Sequence, residues 1–152
     1  MSALHARQNI YLVMHINHPQ EITDDVKNVI ERLHEKGVKL LSQSVLLSGV
    51  NQDAKILEEL FLKLADYGVL PYYLHHPDKA KGTAHFRVTI QEGRDIYRQL
   101  RGLMAGYAIP EYVLDIPGGY GKVPINADWI EPHPDGGYTV RDPKGQMHHY
   151  YD

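Results

Sequence analysis

Ile10-Tyr11-Leu12-Val13-Met14-His15-Ile16, followed after a short polar loop by Thr23-Asp24-Asp25, is the stretch that decides the fold. The first seven residues form a continuous apolar run that turns polar at its end. This is the pattern of a strand buried on both faces, as in a parallel sheet. Thr23-Asp24-Asp25 opens a helix, with acidic residues where the helix dipole favours them. Val26, Val29, Ile30 and Leu33 then fall on one helical face, and Gly37 closes the helix.

The same unit recurs downstream. Lys39 to Leu47 reads as a second strand, Ser48-Gly49-Val50-Asn51 as a loop, and Asp53 to Tyr67 as a helix ended by Gly68. Val69 to His75 reads as a third strand, and a loop with Pro77, Asp78 and Gly82 follows. Thr89 and Glu92 form a capping-box signature before a helix that buries Ile96, Leu100 and Leu103. Three successive strand–loop–helix units imply parallel strands with right-handed crossovers. Chemistry in such sheets gathers at the carboxyl ends of the strands, where His15, Asn17, His18, Gln43, His75, His76 and Asp78 lie. Three strands do not close a barrel, so the first strand is either covered from a second chain or left as an open edge. From Trp129 onward, Asp135-Gly136-Gly137 and Asp142-Pro143-Lys144-Gly145 punctuate short alternating runs, which predict a small β-hairpin tail.

The chain has 152 residues, 43% of them hydrophobic, which suits a single folded domain. A net charge of −3 and a pI of about 6.3 give no basic stripe for nucleic acid. No apolar run is long enough for a membrane span and no signal-peptide pattern opens the chain, so a cytoplasmic protein is expected. No cysteine occurs, which excludes disulfides, thiolate nucleophiles and cysteine-held metal clusters within this sequence. Eleven tyrosines and ten histidines suggest a polar-aromatic cavity.

Gly118-Gly119-Tyr120-Gly121-Lys122, flanked by Pro117 and Pro124, places one lysine at the end of a glycine run. Glycines let a backbone lie close against a ligand, and a lysine so held can form a Schiff base with a carbonyl. Attack on an aldehyde needs the neutral amine, and burial among the glycines is expected to favour it. By itself the pentapeptide reads as a surface turn that carries a lysine, because short glycine motifs recur by chance. His15 and His18 have a spacing that suggests metal ligation, but no third or fourth convergent ligand accompanies them, so hydrogen-bonding roles are expected. His148 and His149 read as solvated tail residues.

Several motifs stand in a fixed order: His15-Ile16-Asn17-His18-Pro19, Gln43-Ser44-Val45-Leu46-Leu47 with Gly49-Val50-Asn51, Pro71-Tyr72-Tyr73, Gly82 with His85-Phe86-Arg87, Leu100-Arg101-Gly102, and Asp115 through Pro124. In this order and spacing, from Leu12 to about Trp129, the chain resembles the C-terminal half of the lysine 2,3-aminomutase family. These are radical S-adenosylmethionine enzymes that also use pyridoxal phosphate. The resemblance implies an α/β fold, a partial (β/α) barrel fragment with about three parallel strand–helix units plus the hairpin tail. Residues 1–128 would form the barrel half and 129–152 the tail.

By the same resemblance, Lys122 matches the lysine that forms the internal aldimine, with Gly118, Gly119 and Gly121 around the cofactor. Asp78 and Asp115 match the two carboxylates that hold the ε-ammonium of the substrate. Gln43 and His15 match residues near the S-adenosylmethionine and cofactor region. The implied reaction moves the α-amino group of L-lysine to the β carbon, giving β-lysine. The implied cofactors are pyridoxal phosphate, S-adenosylmethionine and a 4Fe-4S cluster, whose CxxxCxxC loop has no counterpart here. The implied partners are L-lysine or a lysyl side chain, and a complementary N-terminal half or a homo-oligomer. His75-His76-Pro77-Asp78-Lys79 is closer to the branch that modifies a lysine of elongation factor P, and the glycine loop is closer to the free-lysine branch. A truncated, non-catalytic module that binds pyridoxal phosphate or an amine is the alternative.

Overall fold

A computed structural model describes residues 9–126, 130–142 and 144–150. Its helices begin where side chains satisfy the first free amides. Thr23 caps α1 (Asp24–Glu35) by accepting from the Val26 amide at 3.4 Å, and Asp53 caps α2 (Ala54–Asp66) by accepting from Lys55 at 2.7 Å. Ahead of α3 (Ile90–Leu103), Thr89 and Glu92 exchange bonds as a full capping box. Each such cap stabilises a helix by about 1 kcal/mol. Gly37 and Gly68 end the first two helices at φ of 75° and 72°, a region other residues enter at a cost.

The strands β1 (Tyr11–His15), β2 (Lys39–Val45), β3 (Leu70–His75), β4 (Glu111–Asp115) and β5 (Lys122–Pro124) form one sheet in sequence order. The first four are parallel, and β5 turns back antiparallel to β4. The parallel series is therefore four strands rather than about three. Tyr112-Val113-Leu114, which reads from sequence only as a short apolar piece, is the centre of β4. The sheet is open and does not close into a barrel among the described residues. The tail is a separate antiparallel sheet of β6 (Ile130–Pro132), β7 (Tyr138–Arg141) and β8 (Met147–Tyr150), one strand more than a hairpin. The composition change expected at Trp129 lies outside the described residues.

The core gathers on one face of the five-stranded sheet. Leu40 and Leu74 from the strands pack there with Ile30 of α1, Leu57, Leu60, Phe61 and Leu64 of α2, and Ile96 and Leu100 of α3. The helices α2 and α3 also contact each other. Two apolar positions expected on the buried helix faces lie outside it: Val29 is 49% exposed and Leu103 is 52% exposed. Both sit outside the packed part of their helix faces. At the other extreme, Gly93 of α3 is pressed against Tyr112. A Cβ there would lie 1.9 Å from the Tyr112 hydroxyl, so the missing side chain sets the helix-to-sheet distance.

The first strand departs most from expectation. Ile10, Tyr11, Leu12 and Val13 are each 40% exposed or more, not buried on both faces. Its only partner among the described residues is β2, so its apolar composition has nothing to pack on along the outer side. Local sequence reports the apolar character of a strand but not whether a neighbour covers it.

Candidate functional site

Residues directly across a parallel ladder share a face, and alternate residues along a strand share it too. His15 pairs with Gln43, Gln43 with Tyr73, His75 with Val113, and Asp115 with Lys122. All of these side chains therefore lie on the face opposite the helices, and His15, His75 and Asp115 each end their strand. A cleft of about 210 Å³ at this end is lined by His15, Gln43, Val45, His75, His76, Asp78 and Asp115. A second of about 210 Å³ shares His76, Asp78 and Asp115 and adds Lys79 and Arg87 on an apolar wall of Val88, Ile90, Leu114 and Pro117.

The turn from β4 to β5 explains the glycine run. The Ile116 amide donates to the Gly121 carbonyl at 2.9 Å, and Gly118, Gly119 and Gly121 have φ of 95°, 80° and 97°. Such a turn strains any residue with a Cβ. It sets Lys122 as the first residue of β5, directly across from Asp115. Lys122 Nζ lies 2.6 Å from Asp115 Oδ1, and His75 Nδ1 lies 2.9 Å from Asp115 Oδ2. The Lys122 side chain is 43% exposed, so the burial expected for it among the glycines is not found. Asp78 is exposed in the loop after β3 and shares both clefts with Asp115.

Electrostatics follow from these contacts. The Lys122 ammonium, with help from the His75 hydrogen bond, holds the Asp115 carboxyl below its usual range against a smaller opposing effect of burial. A carboxyl lowered on folding stabilises the fold fully above its unfolded pKa of about 3.9 and loses that contribution as pH falls through the folded value. The thermal midpoint of Asp115→Asn should therefore trail that of the wild type by a constant margin from about pH 5 to pH 7. The two midpoints should converge as pH falls through the lowered folded value, which a series of melts at stepped pH would measure.

Two residues that carry the geometry, Asn51 and Tyr112, have roles that are not evident from the sequence. Asn51 is fully buried. Its Nδ2 donates to the carbonyls of Asn17 and Val45, both at 2.8 Å, and its Oδ1 accepts from the Leu47 amide at 2.6 Å. Asn17 in turn accepts from the Val45 amide at 2.8 Å, so the loops after β1 and β2 are tied together beneath the site. Tyr112 is buried on β4, and its hydroxyl shares a hydrogen bond with His76 Nδ1 at 2.8 Å. Burial pushes that hydroxyl well above its usual range and lowers His76, so both partners of the bond are favoured in their neutral forms. The only local signal for this group is Asn51 in a glycine-containing loop. His18 acts structurally, by capping the short turn Pro19–Glu21, and Glu21 accepts from the amides of Asn17 and His18.

An implied pyridoxal group can be tested against these residues. Lys122 presents a partly exposed amine on Asp115, a residue that lines both clefts, beside a glycine turn that brings backbone close. That fits the carbonyl end of the group. Among the described residues no arginine or lysine lines the cleft of His15 and Gln43, so a phosphate there would need cations from elsewhere. An iron–sulfur cluster does not fit, because the sequence offers no cysteine.

Comparison with known proteins places the chain. A family model described as Lysine-2,3-aminomutase matches residues 97–151, which include Asp115 and Lys122. The chain is 44% identical over 122 residues to a protein named "Putative L-lysine 2,3-aminomutase" from Aquifex aeolicus, covering 80% of this chain and 33% of that protein. It is 45% identical over 120 residues to the L-lysine 2,3-aminomutase of Buchnera aphidicola, covering 79% of this chain and 35% of that one. It is also 40% identical over 121 residues to the glutamate 2,3-aminomutase of Clostridioides difficile, covering 80% and 29%. The chain thus spans about a third of the length of the curated relatives it matches.

Proposed function

This chain is a C-terminal portion of the lysine 2,3-aminomutase family, and from that premise we propose that it supplies the amine-binding and carbonyl-capturing part of an enzyme that converts L-lysine to β-lysine. The observation that supports this most is the meeting of Lys122 and Asp115 at 2.6 Å, with Asp78 in the same cleft. Lys122 is the nucleophile that holds the cofactor carbonyl. When bound, the pyridoxal group supplies that carbonyl and a ring that delocalises charge or an unpaired electron at the migrating nitrogen.

The remaining roles belong to this chain's own side chains. Asp78 and Asp115 present two acceptor-only groups to a terminal ammonium and repel a terminal carboxylate. That arrangement favours lysine over glutamate, the substrate named for one relative. Gln43 and His15 line the wall from which S-adenosylmethionine would approach. The radical-generating cluster belongs to sequence that this chain does not contain, held in a complementary polypeptide or region. The exposed first strand, together with the shallow groove of Val29, Arg32, Leu33 and Lys36 on α1, offers that complement an apolar flank.

The test is reconstitution. The chain is mixed under anaerobic conditions with the remaining two thirds of the Aquifex relative, S-adenosylmethionine, pyridoxal phosphate and either ¹³C-lysine or ¹³C-glutamate. The expected product is β-lysine, with no β-glutamate. A mixture that associates stably yet turns over neither amino acid overturns the catalytic reading and leaves the chain as a binding module.

A further inference from the structure

Asp115 is held from two sides, and the two holds differ in kind. Lys122 is an exposed partner on Oδ1, whereas His75 is a packed partner on Oδ2, with only 14% of its side chain exposed. An ionised carboxylate only accepts hydrogen bonds, so His75 Nδ1 carries the hydrogen and donates it. The other ring nitrogen, Nε2, is buried without a hydrogen-bond partner among the described residues. An orphaned buried nitrogen costs about 1–3 kcal/mol. A phenylalanine would fill the same space beside Tyr73, whose ring meets His75 edge-on, without that cost. What the imidazole adds is its bond to Asp115.

We propose that His75 is a positioning residue: by donating from Nδ1 to Oδ2 of Asp115, it fixes the plane of that carboxylate so that Oδ1 faces Lys122. The interpretation rests on Lys122 as the reactive amine, but the geometry and its measurement do not. A carboxylate anchored by one oxygen keeps the other aimed when Lys122 leaves it. The vacated Oδ1 is then already oriented for a second ammonium. Without His75, Asp115 is free to rotate about its side-chain bonds towards solvent, and Lys122 loses a defined counter-charge. The other titratable groups lining this cleft are His15 from β1, His76 at the end of β3 and Asp78 in the following loop. None of them has a hydrogen bond to Asp115 among the described residues.

The test reads the carboxylate itself. Aspartate labelled with ¹³C at its side-chain carboxyl, in the full chain, gives resonances whose shifts titrate with pH, and Asp115→Asn identifies the signal of Asp115. In His75→Phe the Asp115 midpoint should rise, because one of the two bonds that favour its charged form is gone. His75→Asn places an amide nitrogen near the former Nδ1, so it should restore most of the wild-type midpoint. The Asp24 resonance, whose carboxylate pairs with Lys27, serves as the folding control. An Asp115 midpoint unchanged in His75→Phe overturns the proposal, as does a rise in His75→Asn equal to that in His75→Phe. Either outcome would leave the reconstitution result standing.

Discussion

Replacing Lys122 by alanine should abolish the site-specific covalent capture of pyridoxal phosphate proposed for this chain. Incubating the wild-type chain with the aldehyde and reducing with borohydride should give one dominant adduct, mapped to the peptide that contains Lys122. In Lys122→Ala the adduct should drop to the background set by surface lysines. Other lysines are engaged differently: Lys27 pairs with Asp24 at 2.8 Å and Lys63 with Glu59 at 3.4 Å, both along single exposed helix faces. Neither lies at a cleft. Lys122→Arg is the sharper variant, because it keeps a cation for Asp115 and removes only the nucleophile. It should fold like the wild type, retain the ion pair and lose the adduct just as completely. An adduct that survives in Lys122→Arg, or one spread evenly over surface lysines, would refute Lys122 as the capturing amine.

The second large effect is on stability. Asn51→Ala removes two donors and one acceptor at a position with no solvent access. The Asn17 and Val45 carbonyls and the Leu47 amide each lose that partner, and an unsatisfied buried group costs about 1–3 kcal/mol. Partial relaxation keeps the sum below three full penalties, so about 3–5 kcal/mol is expected from urea unfolding at constant m-value. Asn51→Asp keeps the acceptor but loses both donors and adds a buried charge, so it should be no more stable than the alanine variant. A loss under about 1 kcal/mol for both variants would mean that the loops are held by something other than this side chain. Because the bonds join the loops after β1 and β2, the same substitutions should loosen the wall of His15 and Gln43 before the rest of the sheet melts. Hydrogen exchange at the Val45 and Leu47 amides would register this.

How much of the molecule is legible in the sequence depends on the range of each interaction. Thr23, Asp53 and Thr89 announce helix starts because a cap is satisfied within three residues. Gly37 and Gly68 announce the stops for the same reason. The grouping of polar residues at strand ends follows from the periodicity of the units, and the order of motifs carries the family. The burial of β1 is not legible, because it depends on what lies across the sheet edge. Nor is β5, because Lys122-Val123-Pro124 is too short to have a period, and only the turn geometry makes it a strand. The bond from His75 to Asp115 spans forty positions of sequence, and no local pattern encodes it. The pairing of Lys122 with Asp115 is subtler. The family resemblance implies two aspartates waiting for a foreign ammonium, whereas the register of one tight turn gives one of them to the chain's own lysine.

The reversed direction of β5 makes the sheet asymmetric in what it can accept. Its outer margin is three residues long and finishes in Pro124, which has no amide hydrogen to offer. Lateral growth is blunted there, as at the hem of a cloth. The opposite margin is a proline-free run of five residues with oily side chains and open hydrogen-bonding groups. Any new strand is therefore recruited from one direction only, and the cleft wall ending in His15 is the wall such a recruit would extend.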